Sequence, residues 1–468
     1  MFIGREEELA NLKSLHFPFI AAVYGRRRVG KTSTIRQALL GKKAFFFEGL
    51  ENQSKGLQIK NFLIQLSQQL PLGTIYLNLE IKDWHTALLQ LLPVLNDKKK
   101  ITLVFDEFQW MANYQSELVS VLKMFYDHYL VPKKNIGIIL CGSIASFMIK
   151  KVIKSSALFG RINQVVTINP FVLAETQKFL PTFGEKELLE TQMLLGGIPL
   201  YQLLVKEHGA LYQGIEKLAF TKDGFFELEF DRIFTSHFGK NPNYKKIIEV
   251  LHQSECGLAQ DEISCSCEIS KGGMLSELLF NLESAAFIKS YVPIDKNINS
   301  KLKKYRLTDA FIKFYLAFIL PNKKIINAGN RDIFKKIAQK ISFQSYLGKA
   351  FELMCMEQHL KIASILGFSG IEYLVGPYFR KEQKGKSAGV QIDLLFDRAD
   401  NVITICEMKY RCEKQGTAII DEMEKKVEVI RQTTKKTIHK VLITTSEPTK
   451  ELKKSSYFFK IIPASELI

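Results

Sequence analysis

The stretch FIAAVYGRRRVGKTSTIRQAL, residues 19–39, carries the most specific pattern in the chain. Its opening apolar run suits a buried strand, Gly25 to Thr32 fit G-x-x-x-x-G-K-[ST], and a helix-forming run follows. Strand, glycine-rich loop and helix start are what a phosphate-binding loop requires. Gly25 and Gly30 reach backbone conformations closed to other residues. The N–H groups of Gly25, Arg26, Arg27, Arg28, Val29, Gly30, Lys31, Thr32 and Ser33 can then converge on phosphate oxygens at the positive end of a helix. Lys31 is expected to reach the β- and γ-phosphates of ATP, and the Thr32 hydroxyl to ligate Mg²⁺.

Further along, KKKITLVFDEFQWM (98–111) supplies a second buried strand. It ends in Asp106 and Glu107, at the carboxyl end where parallel α/β sheets gather ligands. Asp106 is expected to support the Mg²⁺ ion and Glu107 to act as the base that orients water. A further strand, IGIILCGS (136–143), ends in Ser143, which either touches the γ-phosphate or attacking water or is a plain strand terminus.

The 468 residues exceed what one hydrophobic core usually organises, so several domains are expected. With 46% hydrophobic and 24% charged residues, the chain reads as globular, without internal repeats or low complexity. The 65 Lys and Arg against 48 Asp and Glu give a formal charge of +17. Such a surface attracts polyanions, nucleic acid and above all DNA being the first candidate, with a merely solvated basic surface as the alternative. No segment reads as a signal peptide, and AFIKFYLAFILP (310–321) is too short and too charged to span a bilayer, so no membrane association and a cytoplasmic location are expected. Seven cysteines give no disulfide framework. His252, Cys256, Cys265 and Cys267 lack paired zinc-ligand spacing and read as ordinary thiols and an ordinary histidine.

A second informative stretch is QIDLLFDRADNVITICEMKY, residues 391–410. It reads as two apolar strands around a turn at Asp400 and Asn401. Glu407 and Lys409 share a strand face with Ile403 and Ile405, and the hairpin brings Asp393 near them. Charges on an otherwise apolar face are expensive unless a metal or partner satisfies them. The alternative is a solvated sheet face of ordinary alternating pattern. A two-residue turn sets Asp393 opposite Cys406, a three-residue loop sets it opposite Glu407, and the sequence leaves both open.

FIGREEELANL (2–12), GRRRVGKTS (25–33), LVFDEFQ (103–109), CGS (141–143), LFGRI (158–162) and GGIPLY (196–201) occur in this order. Together they resemble the archaeal-type P-loop ATPases related to AAA+ and STAND proteins. The resemblance implies base contacts from Phe2, Ile3 and Gly4. It also implies that Arg161 senses γ-phosphate in cis or in a neighbouring subunit of a homo-oligomer, unless it forms a structural salt bridge. In the same reading Gly196, Gly197 and Pro199 turn the chain between helices of a lid.

Three helical patterns lie in residues 243–291, and a hairpin with a basic loop in 288–309. They resemble a winged helix, with Lys271 and Ser276 near a groove and Lys301, Lys303 and Lys304 on a wing facing phosphates, or else an interdomain packing module. The C-terminal segment resembles the uncharacterised companion domain often fused to these ATPases, itself similar to restriction-endonuclease-like folds. Glu352 in YLGKAFELMCMEQHL (346–360), Asp393 in VQIDLLF (390–396) and Glu407-x-Lys409 in CEMKY (406–410) follow the order of a PD-(D/E)xK nuclease. That resemblance implies Mg²⁺ on Asp393 and Glu407, with the Met408 carbonyl and Glu352 assisting, and Lys409 orienting water or steadying the phosphorane.

The expected fold class is therefore α/β: an ATPase core at 1–190, a helical lid at 191–240, a winged helix at 241–320 and a restriction-endonuclease-like α/β domain at 321–468. The expected function is an ATPase coupled to a DNA-directed nuclease. The alternatives are a nucleotide-dependent switch that binds DNA or protein without cleaving, and an oligomerising ATPase with no nucleic-acid role.

Overall fold

A computed structural model describes residues 2–70, 73–96, 98–113, 116–294, 303–380 and 389–468. The chain groups into two compact units, Met1–Phe171 with Ile198–Leu200, and Val172–Gly197 with Tyr201–Ile468. The first break in packing thus falls after Phe171, upstream of the expected boundary at 190.

The first unit is built on a parallel sheet of β1 (Phe19–Tyr24), β2 (Lys43–Glu48), β3 (Ile101–Asp106), β4 (Ile136–Gly142) and β5 (Ile162–Thr167), in spatial order β2-β3-β4-β1-β5. The interior strands β3 and β4 are buried along their whole length, which explains why they read as continuous apolar runs rather than as alternating patterns. Phe47 and Phe105 from the sheet meet Phe62 and Trp84 from helices Lys55–Gln68 and Trp84–Leu89 in the core. The parallel register pairs Glu48 with Asp106 and Tyr24 with Gly142, so the carboxyl ends of four strands open on one edge.

The helix Glu185–Leu195 stops at Gly196, whose φ of 67° lies in the left-handed region, and Pro199 begins the next helix, Pro199–Lys206. This is the turn expected from GGIPLY. Helices Asn243–His252, Gln260–Cys267 and Gly273–Ser284 then accompany an antiparallel sheet of β6 (Leu258–Ala259), β7 (Ile288–Tyr291) and β8 (Lys304–Leu307), in order β6-β8-β7. The helices and the hairpin agree with the sequence pattern. The strand β6 is additional, because two residues carry no alternation to read.

The C-terminal sheet has the order β13-β12-β11-β10-β9, made of β9 (Tyr373–Arg380), β10 (Val390–Arg398), β11 (Val402–Lys409), β12 (Thr437–Thr444) and β13 (Lys460–Pro463). β9, β10 and β11 are antiparallel; β11, β12 and β13 are parallel. The helix Ile341–Glu357 precedes the sheet, and Ala418–Arg431 makes the crossover from β11 to β12. Leu394 lies opposite Cys406 and Asp397 opposite Ile403. One further step sets Asp393 opposite Glu407, the register of the longer loop. The β9–β10 pairing shifts between Ile392 and Leu395, so a bulge occurs where Asp393 sits, a device that re-aims side chains. No helix of the described residues is long and apolar enough to cross a membrane.

Candidate functional site

In the first unit the loop after β1 enters the helix Lys31–Ala38 through Gly30, at φ 90°. A side chain at Gly25 would collide with the backbone carbonyl of Ile168, so only glycine fits there. Lys31 is buried, and its Nζ donates to the Arg26 carbonyl at 3.1 Å across the loop. The Thr32 hydroxyl donates to Asp106 Oδ2 at 2.5 Å, linking the loop to the end of β3. Hydroxyl and carboxylate from these two elements are the donor types that a nucleotide-bound Mg²⁺ takes.

Glu107 is held in the left-handed region, at φ 47°, beyond the last residue of β3. Non-glycine residues occupy that region at a cost and gather at functional sites. Its backbone N–H donates to Asp106 Oδ1 at 2.9 Å. Its Oε2 accepts from the Ser143 hydroxyl at 2.7 Å and from the Gln109 amide. Gln109 Nε2 also donates to Ser143 Oγ at 3.1 Å, and the Ser143 N–H returns to Gln109 Oε1 at 3.2 Å. Ser143 therefore belongs to the site through Glu107. Gln109 was missed, although it stands in the same quoted LVFDEFQ segment.

Glu48, at the end of β2, was also missed. Burial raises its pKa, and the neighbouring charges of Asp106 and Glu107 raise it further. A cavity of about 310 Å³ opens here, lined by Thr32, Arg36, Glu48, Gln65 and Asp106 among others. The entry segment reaches the phosphate-binding loop through Arg5. Arg5 is buried, donates to the Val29 carbonyl at 3.1 Å, and stacks over Phe171 with its guanidinium carbon 4.7 Å from the ring centre.

Arg161 follows the structural alternative. Its Nε and Nη2 bind the two carboxylate oxygens of Asp127 at 2.8 and 2.9 Å, and its described contacts include neither the phosphate-binding loop nor Glu107. The guanidinium fork is matched to a carboxylate, which is the geometry of the salt-bridge alternative.

In the second unit Glu407 is 5% exposed, which removes the solvated-face alternative for it. Lys409 Nζ lies 3.0 Å from Glu407 Oε1, and Lys426 Nζ 2.5 Å from Oε2. Lys409 also meets Glu422 at 2.8 Å. Glu422 and Lys426 stand one helical turn apart on Ala418–Arg431, so a single helix face supplies both. Burial opposes the Lys409 charge, yet the Glu407 and Glu422 carboxylates hold its pKa above the ordinary value.

Glu352, on the preceding helix, is pushed up to about 7 by burial first and then by the charges of Asp393 and Glu407. Asp393 Oδ1 accepts from the Gln391 amide at 2.7 Å. The fold thus draws Glu352, Asp393, Glu407 and Lys409 into one electrostatic neighbourhood. The expected metal set is not assembled as such. Among the described residues no three His, Cys, Asp or Glu side chains are gathered so that they could hold a metal ion. Both Glu407 oxygens face lysines instead. Lys426 was invisible in the sequence because it lies on another element, 19 residues away from Glu407.

Of the basic residues expected on a nucleic-acid face, Lys271 pairs with Asp261 at 3.1 Å and Lys303 lies 3.8 Å from Glu283. Ser276 accepts from Gln260 at 3.0 Å. Lys301 lies outside the described residues.

Residues 2–199 match the model of an ATPase domain found predominantly in Archaea, and residues 315–420 match a family described as archaea bacterial proteins of unknown function. An uncharacterized protein of Methanocaldococcus jannaschii is 30% identical over 362 residues, covering 76% of this chain and 77% of that protein. Among solved structures, a Walker-type ATPase of Pyrococcus abyssi matches with a TM-score of 0.52 at 20% identity, covering 68% of this chain and 96% of that one. The Aeropyrum pernix ORC2 protein matches at 14% identity with a TM-score of 0.43, covering 69% and 94%. The fold is that of a P-loop ATPase, with the parallel sheet, loop and carboxylate pair in their expected places. The chain belongs to one family with the Methanocaldococcus protein, and it is an ATPase whose nucleotide-binding domain is of the predominantly archaeal type.

Proposed function

We propose that this ATPase uses its nucleotide state to control a DNA-directed, Mg²⁺-dependent nuclease centre in its C-terminal domain. In the ATPase centre Lys31 carries the positive charge for the β- and γ-phosphates. Thr32 and Asp106 are the residues that would hold Mg²⁺, which supplies charge neutralisation when bound. Glu107, aimed by Ser143 and Gln109, orients the attacking water, and its fixed position avoids reorganisation as the reaction proceeds.

One observation carries the second half of the proposal: Glu352, Asp393, Glu407 and Lys409 come from one helix and two strands into a single charged cluster on an apolar sheet. The order of helix, three antiparallel strands, crossover helix and parallel strand supports a restriction-endonuclease-like reading. Asp393 and Glu407 are the residues that would hold the ion, which would withdraw charge from the scissile phosphate. Lys409 would supply positive charge beside that phosphate, and Lys426 would have to give up its contact with Glu407 for the ion to bind there. The three helices and antiparallel sheet of residues 243–307 support a winged-helix reading, and the +17 charge supports nucleic acid as the partner.

The two lysines on Glu407 favour a second reading, in which the cluster is a structural ion network and the domain binds DNA without cutting it. Incubating the whole chain with single-stranded, duplex and branched DNA, with Mg²⁺ or Mn²⁺, separates the two. Cleavage by the parent that is lost in Asp393→Ala supports the nuclease. Metal-independent binding without cleavage in either protein supports the second reading.

A further inference from the structure

The second unit contains a cavity of about 490 Å³, within the roughly 300–1,000 Å³ range of small-molecule sites, and Glu352 and Asp393 of the charged cluster form part of its wall. It is lined by residues of the helix Asn243–His252, of β7 and β8, of the helices that follow β8, and of β9 and β10. Its distinguishing feature is a set of buried polar groups without protein partners. His252 Nδ1, Arg306 Nε and the Tyr346 hydroxyl are all buried and accept or donate no hydrogen bond among the described residues. Each such atom is costly in a folded chain unless something else binds it.

Arg306 is poorly matched. One guanidinium nitrogen reaches the Met356 sulfur at 3.2 Å, and another stands 3.9 Å from Glu357. Lys313 also lines the cavity, and no described hydrogen bond or ion pair engages its ammonium. Burial pushes its pKa down to about 8, helped by Arg306 and Lys349 and opposed by Glu255 and Glu352. Lys349 is engaged with Glu255, so among the described lining residues Arg306 and Lys313 are the cations left to meet an anion. The other walls include the aromatic rings of Phe318 and Phe379.

We propose that this cavity binds a nucleoside phosphate monoester, with Arg306 and Lys313 receiving the phosphate and Phe318, Tyr346 and His252 receiving the base. A planar guanidinium beside an ammonium suits a dianionic phosphate. Aromatic walls with buried polar atoms between them suit a heteroaromatic base. The same chemistry is offered by a free mononucleotide and by the phosphorylated end of a strand. Glu352 and Asp393 of the charged cluster line the same cavity, but the groups assigned to the ligand are none of that cluster's carboxylates, so binding here does not require cleavage.

The test uses the full chain carrying Lys31→Ala, which silences the ATPase loop. Calorimetric titration is run with AMP, GMP, CMP, UMP, inorganic phosphate, and short oligonucleotides with and without a 5′-phosphate. Saturable, one-to-one binding of at least one nucleotide is expected, weakened at least tenfold by Arg306→Gln or Lys313→Met. Tyr346→Phe removes only a hydroxyl and is expected to weaken binding severalfold with the thermal midpoint retained, which guards against misfolding of the charge variants. Mononucleotide binding as tight as that of the phosphorylated oligonucleotide identifies the free ligand, and binding of the phosphorylated oligonucleotide alone identifies a strand end. Inorganic phosphate binding as tightly as every nucleotide would overturn the nucleoside assignment. Absence of binding, or binding indifferent to all three substitutions, would overturn the site.

Discussion

Replacing Glu352 by Gln tests whether burial and the neighbouring carboxylates hold this carboxyl protonated in the folded chain. In the folded chain the carboxyl is raised from 4.5 to about 7, first by burial and then by Asp393 and Glu407. Between those values the folded state keeps a proton that the unfolded chain has released. Stability contributed by this group is therefore complete below about 4.5 and is lost as pH rises through 7. The full displacement corresponds to about 3 kcal/mol, and partial solvent access to the side chain reduces this to about 1–3 kcal/mol. Glu352→Gln removes the titration. Relative to the parent it should gain about 1–3 kcal/mol at pH 8 compared with pH 4.5. Urea unfolding of both proteins at pH 4.5, 6 and 8, followed on the transition that reports the C-terminal sheet, reads the difference. Parallel pH profiles for parent and variant would rule out the raised carboxyl, because they would mean that neither burial nor the charges of Asp393 and Glu407 shift Glu352.

Three other outcomes follow from the geometry. Lys31→Ala should abolish tight ATP binding, whereas Glu107→Gln should keep it and slow hydrolysis by roughly 10²- to 10³-fold, as measured by nucleotide affinity and phosphate release. Hydrolysis at the parent rate in Glu107→Gln would remove Glu107 from its assigned role. Lys426→Met leaves the buried Glu407 with one lysine and should destabilise the fold by about 3 kcal/mol in chemical denaturation; a change within error would mean that Lys409 alone satisfies the carboxylate. If the basic hairpin meets DNA, replacing Lys303 and Lys304 together should flatten the salt dependence of binding by roughly two units, one for each phosphate that the hairpin no longer neutralises. An unchanged slope would assign the hairpin to packing.

The ATPase centre was legible in the sequence because its parts are local. A strand, a loop of fixed spacing and a helix start are contiguous in residues 19–39, and Asp106 and Glu107 follow an apolar run that has no other reading. Arg5 and Gln109 escaped because their roles depend on where a side chain reaches: Arg5 on the Val29 carbonyl and Gln109 on Glu107 and Ser143. The hairpin of Asp393 and Glu407 was legible as a pair of strands but not in register, since loop length and a bulge between Ile392 and Leu395 set the partners. Lys426 shows the limit most clearly. It neutralises Glu407 from a crossover helix, and nothing in the spacing of CEMKY points to it. Arg161 shows the same limit, since its partner Asp127 lies 34 residues away and no local pattern links the two.

If the nucleotide state governs the C-terminal centre, two ATPase variants that hold opposite states should cut DNA at different rates. Glu107→Gln should hold ATP unhydrolysed, and Lys31→Ala should hold none. The quantity to measure is the initial rate of Mg²⁺-dependent DNA cleavage by each at saturating ATP. Rates differing at least tenfold are expected, with Asp393→Ala abolishing cleavage in both backgrounds. Equal rates in the two ATPase variants, or cleavage that survives Asp393→Ala, would contradict control of a nuclease by nucleotide.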